Sequence, residues 1–455
     1  MTMTTRTIVS AAGLLLLCAA RAAAQQPPPV RQLGPITAVS KDSLSSVTAA
    51  VQVAGGRVLV NDILARRVVL YDSTLGSPTV VADSASGLAN SYGSRPGTLL
   101  PFHGDSALLI TPAALSMLVL SPEGTIVRTM AMPPSGGALP ALIGNIFGTP
   151  GFDARGRLAY FSPVRMQFRG PPPSNGPMRL EPPDSALIVR FDFATRSLDT
   201  AAAIRILRTR TSMSRDDKGK INLTMTAMPP QTVDDWAVTS DGAIEVVRGR
   251  DYHVDRLNPD GSWTHLPRMP YEWERLDDSA KSALLDSTVT ETQAGIDSMQ
   301  ARLRRNGPMS AGGASVGAAP REGDRGAGGG GFVIITQSRP GPGGEGGGGG
   351  GPGPATTISM PAPKVMRADL ADVPDYRPPF RQGSVRADLD GNLWIRTDKI
   401  VGGRPVYDVV TGQGQLADRV QLPPFRTIAG FGPGVLYMGV RDSVGVMHLE
   451  RARVR

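Results

Sequence analysis

The chain has 455 residues, a formal net charge of +8 and hydrophobic residues at 40% of its positions, enough for one large domain or two to three smaller ones. Its 54 glycines and 40 prolines favour turns over long helices. Cationic residues are scattered among acidic ones, with the densest cluster at Arg302, Arg304 and Arg305. The concentrated basic face of a nucleic-acid-binding protein is therefore absent from the sequence pattern, and we expect no nucleic-acid partner.

The first 24 residues have the pattern of a secretory signal peptide. Arg6 supplies the positive start, the apolar stretch 8–20 is too short to span a bilayer, and small residues precede the expected cleavage position. We therefore expect an exported protein of the periplasm or the extracellular space. A lipoprotein anchored through Cys18 is the alternative, although Leu17 is larger than the residue that usually precedes a lipidation site.

Removal of residues 1–24 leaves no cysteine, because Cys18 is the only one in the chain. The mature chain then forms no disulfide, which suits a bacterial envelope protein better than a small secreted eukaryotic domain. No second stretch is long and apolar enough to cross a membrane, and we expect a monomer.

A unit of short apolar runs separated by tight turns recurs along the chain. Residues 241–266 show it clearly: a glycine, an apolar run, a polar break, a second run, the turn NPDG and a third run. Related units occupy residues 55–81, 104–130, 156–161 with 185–200, 390–420 and 432–450. Each unit can be aligned on the residue that precedes its first apolar run, here called its anchor: Gly56, Ser106, Gly156, Gly242, Gly391 and Gly434. The step from Gly56 to Ser106 is 50 residues and the step from Gly391 to Gly434 is 43. Multi-stranded units at this spacing indicate a β-propeller.

The sequence thus predicts an all-β fold, a six-bladed β-propeller of four-stranded blades. Radial packing buries both faces of each blade, which explains why runs such as VLVND and LLIT do not alternate cleanly. The last unit, which ends near Val454, is shorter than a full blade. We therefore expect the segment after the leader to share a blade with it and to close the ring.

Three insertions interrupt the repeat. Residues 166–183 form a proline-rich loop, and residues 208–230 form a polar connection. Residues 271–307 predict a helical insertion capped by Asp277 or Asp278, and a weak middle leaves one or two helices open.

Residues 308–358 are rich in glycine and proline and predict a disordered linker, in which Phe332 to Ser338 form an apolar island that could add a strand to the propeller. The expected organisation is a signal peptide over 1–24, a disordered proline-rich leader over 25–35, the first part of the propeller over 36–270, the helical insertion over 271–307, the linker over 308–358, and the final blades with ring closure over 359–455.

No motif predicts a catalytic residue, a metal site or a cofactor. The hydrolase-like match GASVG at 313–317 lies in a glycine tract instead of a strand–turn–helix. The four histidines, His103, His253, His265 and His448, lack the spacing of metal ligands, and we expect His253, beside Asp255, to be a hydrogen-bonded strand residue. The acids Asp234 and Asp235 are expected in a loop before Trp236.

One constellation is a candidate ligand-binding site. Asp62, Arg248, Arg396 and Arg441 lie five to seven residues after their anchors, where the rim of a central funnel is expected. Guanidinium groups suit carboxylate or phosphate ligands. The alternative is that the arginines pair with acids of adjacent loops, namely Asp251, Asp398 and Asp442.

Two stretches carry a resemblance to a known family: VVRGRDYHVDRLNPDGSW followed by PYEWERLDD, and NLWIR with VYDVVTGQGQLADRVQLP. They resemble six-bladed propellers of the NHL and TolB-like type, and the chain is similar to exported bacterial six-bladed β-propeller proteins of unassigned function over roughly residues 40–270 and 375–453. The resemblance implies a platform for proteins or ligands. A minority of six-bladed relatives are metal-dependent lyases or lactonases, and their metal ligands do not map onto this sequence.

We therefore expect an exported binding or scaffold module, without a cofactor, whose ligand at the funnel rim is an anionic small molecule, a glycan or a peptide. The alternative is a metal-dependent hydrolase or lyase with its site in the central channel. The pattern favours the binding module over the enzyme.

Overall fold

The structure is a computed structural model, and it describes residues 27–84, 91–93, 96–111, 114–133, 147–162, 178–180, 183–215, 221–306 and 363–455. The expected signal peptide with Cys18, most of the proline-rich insertion, the GASVG motif and the glycine-rich linker with its apolar island lie outside these residues.

The described strands form six similar sheets and one additional sheet. Sheet 1 contains β3 (Val47–Gln52), β4 (Val58–Asp62), β5 (Arg67–Tyr71) and β6 (Thr79–Ala82); sheet 2 contains β7 (Thr98–Phe102), β8 (Ser106–Thr111), β9 (Ser116–Leu120) and β10 (Ile126–Ala131); sheet 3 contains β11 (Gly151–Phe152), β12 (Leu158–Ser162), β14 (Ser185–Phe191) and β15 (Leu198–Arg205). Sheet 4 contains β18 (Asp234–Val238), β19 (Ile244–Arg248), β20 (His253–Leu257) and β21 (Trp263–His265); sheet 5 contains β23 (Phe380–Ala387), β24 (Leu393–Val401), β25 (Arg404–Val410) and β26 (Leu416–Gln421); sheet 6 contains β27 (Arg426–Gly432), β28 (Val435–Arg441) and β29 (Met447–Arg453).

The N-terminal residues complete the last two sheets. Strand β2 (Ile36–Val39) pairs antiparallel with β29, and β1 (Val30–Gln32) pairs parallel with β26. Part of the leader that was expected to be disordered over 25–35 is therefore an ordered strand, because β26 offers it an edge to pair with. The first and last segments of the chain therefore share sheet 6, and backbone hydrogen bonds hold the two ends together.

Six hydrophobic clusters join the sheets in a cycle. Five of them lie between consecutive sheets, from sheets 1 and 2 to sheets 5 and 6, and the remaining cluster joins sheet 6 to sheet 1. Because each sheet is packed on both faces, strands such as β4 are buried at every position. The first strands of most neighbouring sheets also contact one another, which places them around the axis. The fold is a β-propeller of four-stranded antiparallel sheets.

The repeat anchors lie in the turn between the first and second strands of their sheets. Gly56, Gly156, Gly242, Gly391 and Gly434 all have φ between +66° and +81°, a conformation that costs glycine nothing. In sheet 2 the corresponding residues are Gly104 and Asp105, also with positive φ, and Ser106 begins the strand that follows. A Cβ on Gly242 would overlap the main chain of Ala154 in sheet 3, so this turn also needs a close approach of the backbone.

The two faces of the propeller carry different turns. The turns between first and second strands and between third and fourth strands lie on one face, here called the turn face. The turns between second and third strands and the connections between sheets lie on the other, here called the linker face.

A satellite sheet is built from connections on the linker face. It contains β13 (Met178–Leu180), β16 (Arg210–Arg215), β17 (Ile221–Ala227) and β22 (Lys364–Arg367). The connection 208–230, which the sequence pattern left without strands, therefore contributes two. Its residues Ile221, Leu223 and Met225 do alternate with polar ones, a strand period that went unrecognised.

The helical insertion contains a single helix, α1 (Asp278–Asn306), which packs on the satellite sheet through Leu285 and neighbouring apolar side chains. Asp277 caps it, because its Oδ1 accepts the N–H of Ala280 at 2.8 Å. Among the described residues, no helix combines the length and the apolar character that a bilayer crossing requires.

Candidate functional site

Asp62 is a buried carboxylate at the end of β4. It accepts the main-chain N–H groups of Ser45 and Ser46 at distances of 2.9 to 3.1 Å, and Arg67 Nε donates to it at 3.1 Å. These donors come from the connection that enters sheet 1 and from the adjacent strand. In this structure, the side chain therefore fixes the local fold of the linker face.

Arg248, at the end of β19, is bound to two carboxylates of its own sheet. Its Nη1 lies 2.9 Å from Asp234 Oδ2, and its Nε lies 2.7 Å from Asp255 Oδ2. The other oxygen of Asp255 lies 3.1 Å from His253 Nε2 and 2.6 Å from His265 Nδ1. Arg248 therefore neutralises acids within sheet 4 in the described geometry.

Arg396 lies in a different position on its sheet from Arg248. Arg248 is four residues after Ile244, the first residue of β19, whereas Arg396 is three residues after Leu393, the first residue of β24. Because successive side chains of a strand point to opposite faces, the two arginines project from opposite sides of their sheets. Arg396 also has an interaction partner of its own.

Arg441, at the end of β28, is exposed on the linker face. Its Nη1 donates to the carbonyl oxygen of Gly445 at 2.9 Å, and its Nη2 donates to that of Ser45 at 3.4 Å. The acceptors are neutral, so its charge stays uncompensated by a carboxylate in these contacts. The four candidate residues thus have four different environments.

A polar cleft of about 570 Å³ opens on the turn face between sheets 4 and 5. Turns of both sheets build it, because Asp241 and Asn258 come from sheet 4 and Asn392 and Gln413 come from sheet 5. The NPDG turn that the sequence predicts is one wall, and its Gly261 N–H donates to Asn258 O at 2.9 Å.

The floor of this cleft is an ionic cluster centred on Arg256 of β20 and Glu245 of β19. Arg256 donates to Glu245 and to Asp241, and its Nε donates to Asn258 Oδ1 at 3.1 Å. Glu245 is fully buried, and its Oε2 has no hydrogen-bond partner among the described residues. Burial raises the pKa of Glu245 to about 7, against the opposing effect of the Arg256 charge.

Gly412 lies directly over this floor. A Cβ at Gly412 would stand 3.4 Å from Arg256 Nη1 and 3.9 Å from Glu245 Oε1. Since Gly412 lines the cleft, only a residue without a side chain leaves the space above the guanidinium fully open.

The sequence offered one unused signal for this site. Glu245 and Arg256 face each other across β19 and β20 and interrupt otherwise apolar runs. Buried charges in a strand are rarely tolerated unless they are paired. What the sequence could not show is that the turn at 411–413, about 150 residues away, completes the cleft.

A second buried acid lies near the propeller axis. Asp235 is in strand β18, which corrects the expectation of a loop, because Asp234 already pairs with Arg248 in the ladder. Asp235 Oδ2 accepts the N–H of Val385 at 2.8 Å, and burial raises the pKa of Asp235 to about 7. Asp235 Oδ1 has no hydrogen-bond partner among the described residues.

The described part of the chain contains no group of three or more His, Cys, Asp or Glu side chains arranged to hold a metal ion. Of the histidines, His253 lies between Asp251 and Asp255, and His448 Nδ1 lies 3.1 Å from the carbonyl oxygen of Ser40.

Comparison with known proteins finds similarity only among solved structures. No family model matches the chain. No curated protein matches it. Virginiamycin B lyase from Staphylococcus aureus, in a catalytically inactive form with quinupristin, is 9% identical, with 90% of this chain and 98% of that chain covered and a TM-score of 0.34.

The calcium-binding protein regucalcin from Agrobacterium tumefaciens is 10% identical, with 94% and 98% covered and a TM-score of 0.31. A protein of unknown function from Bacteroides thetaiotaomicron is 10% identical, with 93% and 73% covered and a TM-score of 0.38. At these values the likeness carries no argument about activity or ligand.

Proposed function

We propose that the protein is an exported six-bladed β-propeller of the NHL and TolB-like kind that acts as a binding module and holds a saccharide in the cleft between sheets 4 and 5. The six sheets joined by six interfacial clusters support the blade count. The signal-peptide pattern of residues 1–24 supports export. The polar cleft is the observation that carries the binding function.

The chemistry of the cleft favours a neutral polyhydroxylated ligand. Each sugar hydroxyl both donates and accepts hydrogen bonds, and the cleft offers carboxylates at Asp241 and Asp390, amides at Asn392 and Gln413, and the guanidinium of Arg256. Carboxylates outnumber the single cation, which disfavours an anion at this position. The volume is also in the range of about 300–1,000 Å³ that ligand pockets occupy.

The cleft is pre-organised by contacts that do not involve a ligand. Arg256 is held by three acceptors, and Asp241 Oδ1 accepts a hydrogen bond from Thr239 Oγ1 at 2.7 Å. A side chain already fixed in this way loses little conformational entropy on binding. The arrangement is therefore suited to recognition of a small polar ligand.

A glycan array tests the proposal directly. The full chain is compared with Asp390→Asn, in which a charge-assisted acceptor of the cleft is lost, and binding should fall by about tenfold. Asp105→Asn is the matched control, because Asp105 is exposed in the corresponding turn of sheet 2. If the wild type binds a saccharide and neither Asp390→Asn nor Asp105→Asn weakens that binding, the cleft is not the binding site. If the wild type binds no saccharide on the array, the ligand is not a saccharide.

The exposed state of Arg441 favours a second candidate function, the capture of an anionic peptide or metabolite at the rim that Asp62, Arg248, Arg396 and Arg441 define. Arg441 is the member whose recorded acceptors are only carbonyl oxygens. Binding of a polyglutamate peptide should therefore depend on Arg441, and Arg441→Gln should abolish it. Equal binding by the variant and the wild type would retire the rim as a ligand site.

A further inference from the structure

Large exposed apolar side chains are distributed unequally between the two faces of the propeller. The linker face and the strand ends beside it include Leu64 (62% exposed), Leu115 (56%), Ile400 (60%), Phe425 (61%) and Val444 (81%), and Trp273 (38%) and Tyr376 (47%) lie in the connection between sheets 4 and 5. Among the described turns of the turn face, only Leu389 (47%) belongs to this group. Apolar side chains exposed singly are common on soluble proteins, so it is their concentration on one face that calls for an explanation.

The five residues lie at the same face of the propeller. Leu64, Leu115 and Val444 lie in the turns between second and third strands of sheets 1, 2 and 6. Ile400 is in β24 just before the corresponding turn of sheet 5, and Phe425 lies in the connection between sheets 5 and 6. In a propeller these turns and connections share one face. These five separate residues, spread over part of the ring, are here called the apolar tips.

Two of these exposed apolar residues have a backbone conformation that destabilises the folded state. Leu115 has φ of +50° and Phe425 has φ of +63°, in the left-handed region where glycine or asparagine is preferred. A bulky apolar residue there is strained, and its exposed side chain recovers little by burial. Such positions are a reason to look for a function outside the fold.

Uncompensated cations accompany the apolar tips. Arg441, the last residue of β28, directly precedes the turn that contains Val444, and in the contacts found it donates only to carbonyl oxygens. Arg404, four residues after Ile400, donates to Gln32 Oε1 and to the carbonyl oxygen of Leu422. Lys399 on this face is neutralised by Glu272 and is therefore not counted among these cations.

We propose that the linker face docks on the surface of an anionic lipid bilayer, with Leu64, Leu115, Ile400, Phe425 and Val444 inserted at the level of the headgroups. Apolar side chains together with cations are the two contributions that hold a protein at such a surface. Protein partners prefer a contiguous patch with central aromatic or arginine anchors, whereas these tips are dispersed. The proposal goes beyond the saccharide cleft, which lies on the opposite face and stays accessible in the docked state.

Sedimentation with lipid vesicles tests the proposal. The full chain should bind vesicles that contain phosphatidylglycerol, and bind vesicles of phosphatidylcholine alone about tenfold less, because each cation near an anionic surface adds to affinity. The combined variant Leu64→Ser, Ile400→Ser, Phe425→Ser and Val444→Ser should lose binding by about tenfold or more. The combined variant Arg404→Gln and Arg441→Gln should lose the preference for phosphatidylglycerol.

The control removes four apolar side chains that are 47–61% exposed elsewhere, against 60–81% for the four residues of the test variant. Val80, Val127 and Leu198 lie on outer strands, and Leu389 lies on the turn face. Their combined change to serine should leave vesicle binding intact. Equal loss in both serine variants, or no binding by the wild type at any composition, would overturn the proposal and leave a protein as the occupant of the face. Glycan-array binding should survive the linker-face substitutions, which separates this test from that of the cleft.

Two further measurements do not depend on a multiple substitution. In a Cys18→Ser background, a polarity-sensitive dye on Val444→Cys should shift to the blue with vesicles, and the same dye on Leu389→Cys should not. Leu115→Asn and Phe425→Asn should keep or raise the melting temperature, since asparagine tolerates positive φ, while each weakens vesicle binding. An unshifted dye at Val444, or asparagine variants that bind as the wild type does, would contradict insertion of these tips.

Discussion

A Cβ on Gly430 would overlap the main-chain oxygen of Ala50, so the first strand of sheet 6 and the first strand of sheet 1 approach each other too closely for any side chain at this position. This contact lies where the end of the ring meets its beginning. It joins two sheets that are far apart in the sequence, beside the cluster that includes Ala429 and Ala50.

Gly430→Ala should therefore destabilise the fold. The added methyl group can be accommodated only by separating two first strands, and overpacking of this kind costs about 1–3 kcal/mol. Urea denaturation measures the change. Gly295→Ala in α1 is the control, because its Cβ would meet no atom within 4 Å and alanine favours a helix by about 1 kcal/mol over glycine. If both variants unfold at the same urea concentration, the two strands are not in close contact.

Asp235→Ala should destabilise the protein more than Asp235→Asn. Alanine leaves the buried N–H of Val385 without its acceptor, which costs about 1–3 kcal/mol. Asparagine keeps a carbonyl oxygen in the same position and should cost less. The free energies of unfolding from chemical denaturation compare the two variants, and equal losses would indicate that the hydrogen bond between sheets 4 and 5 does not form.

Between about pH 7 and pH 4, three buried acids should make the folded protein more stable as the pH falls, which is the opposite of the usual effect of acidic side chains. Burial raises the pKa of Asp235 and Glu245 to about 7 and that of Asp408 to about 6, so in this window the folded chain binds protons that the unfolded chain has released. Their contribution to stability therefore rises as the pH falls from about 7 to about 4, by roughly 1.4 kcal/mol for each unit of raised pKa.

Other acids act in the opposite direction below that window. Arg190, for example, lowers the pKa of Asp199, and the stabilisation from that ion pair is lost when the pH falls through the lowered value. Melting temperatures should thus increase from pH 8 to about pH 5 and decrease in stronger acid. Asp235→Asn should flatten the increase, and a wild-type melting temperature that falls steadily between pH 8 and pH 5 would contradict the raised pKa values.

Arg248 and Arg441 should respond differently to substitution. Arg248→Met leaves Asp234 and Asp255 beside each other without their cation, and removal of one partner from a largely buried ionic cluster costs about 3–5 kcal/mol at full burial, less here because Arg248 is partly exposed. Arg441→Gln changes an exposed side chain and should stay within about 0.5 kcal/mol of the wild type. Thermal unfolding distinguishes the two, and equal stability of both variants would show that Arg248 is free to serve a ligand.

The architecture was visible in the sequence because local rules determine it. Positive φ at Gly56, Gly156 and Gly242 requires glycine in a recurring turn, and the NPDG turn follows from the preferences of its residues. The satellite sheet was not visible, because its strands β13 and β22 are separated by nearly two hundred residues and pair only through β16 and β17. Spacing along one chain does not encode such contacts.

For the rim and the cleft, too, the sequence indicated positions along the strands but not the contacts between side chains. The anchor spacing placed Arg248 and Arg441 near strand ends on one face. The acids that neutralise Arg248 lie on the two strands beside its own, and alignment of the repeats does not show which acid pairs with which arginine. Arg256 and Gly412 come together only when sheets 4 and 5 pack side by side. Side-chain partnerships between blades are thus the part of the site that the sequence alone did not provide.

Hydrogen exchange in the presence of the strongest saccharide from the array tests the central claim most directly, with Gly412→Val as the comparison. The account predicts slower exchange confined to residues 239–243, 256–258, 388–392 and 411–415, and no protection in Gly412→Val, whose side chain fills the space over Arg256. Protection on the linker face instead, or equal protection in the wild type and Gly412→Val, would contradict a ligand site in the cleft between sheets 4 and 5.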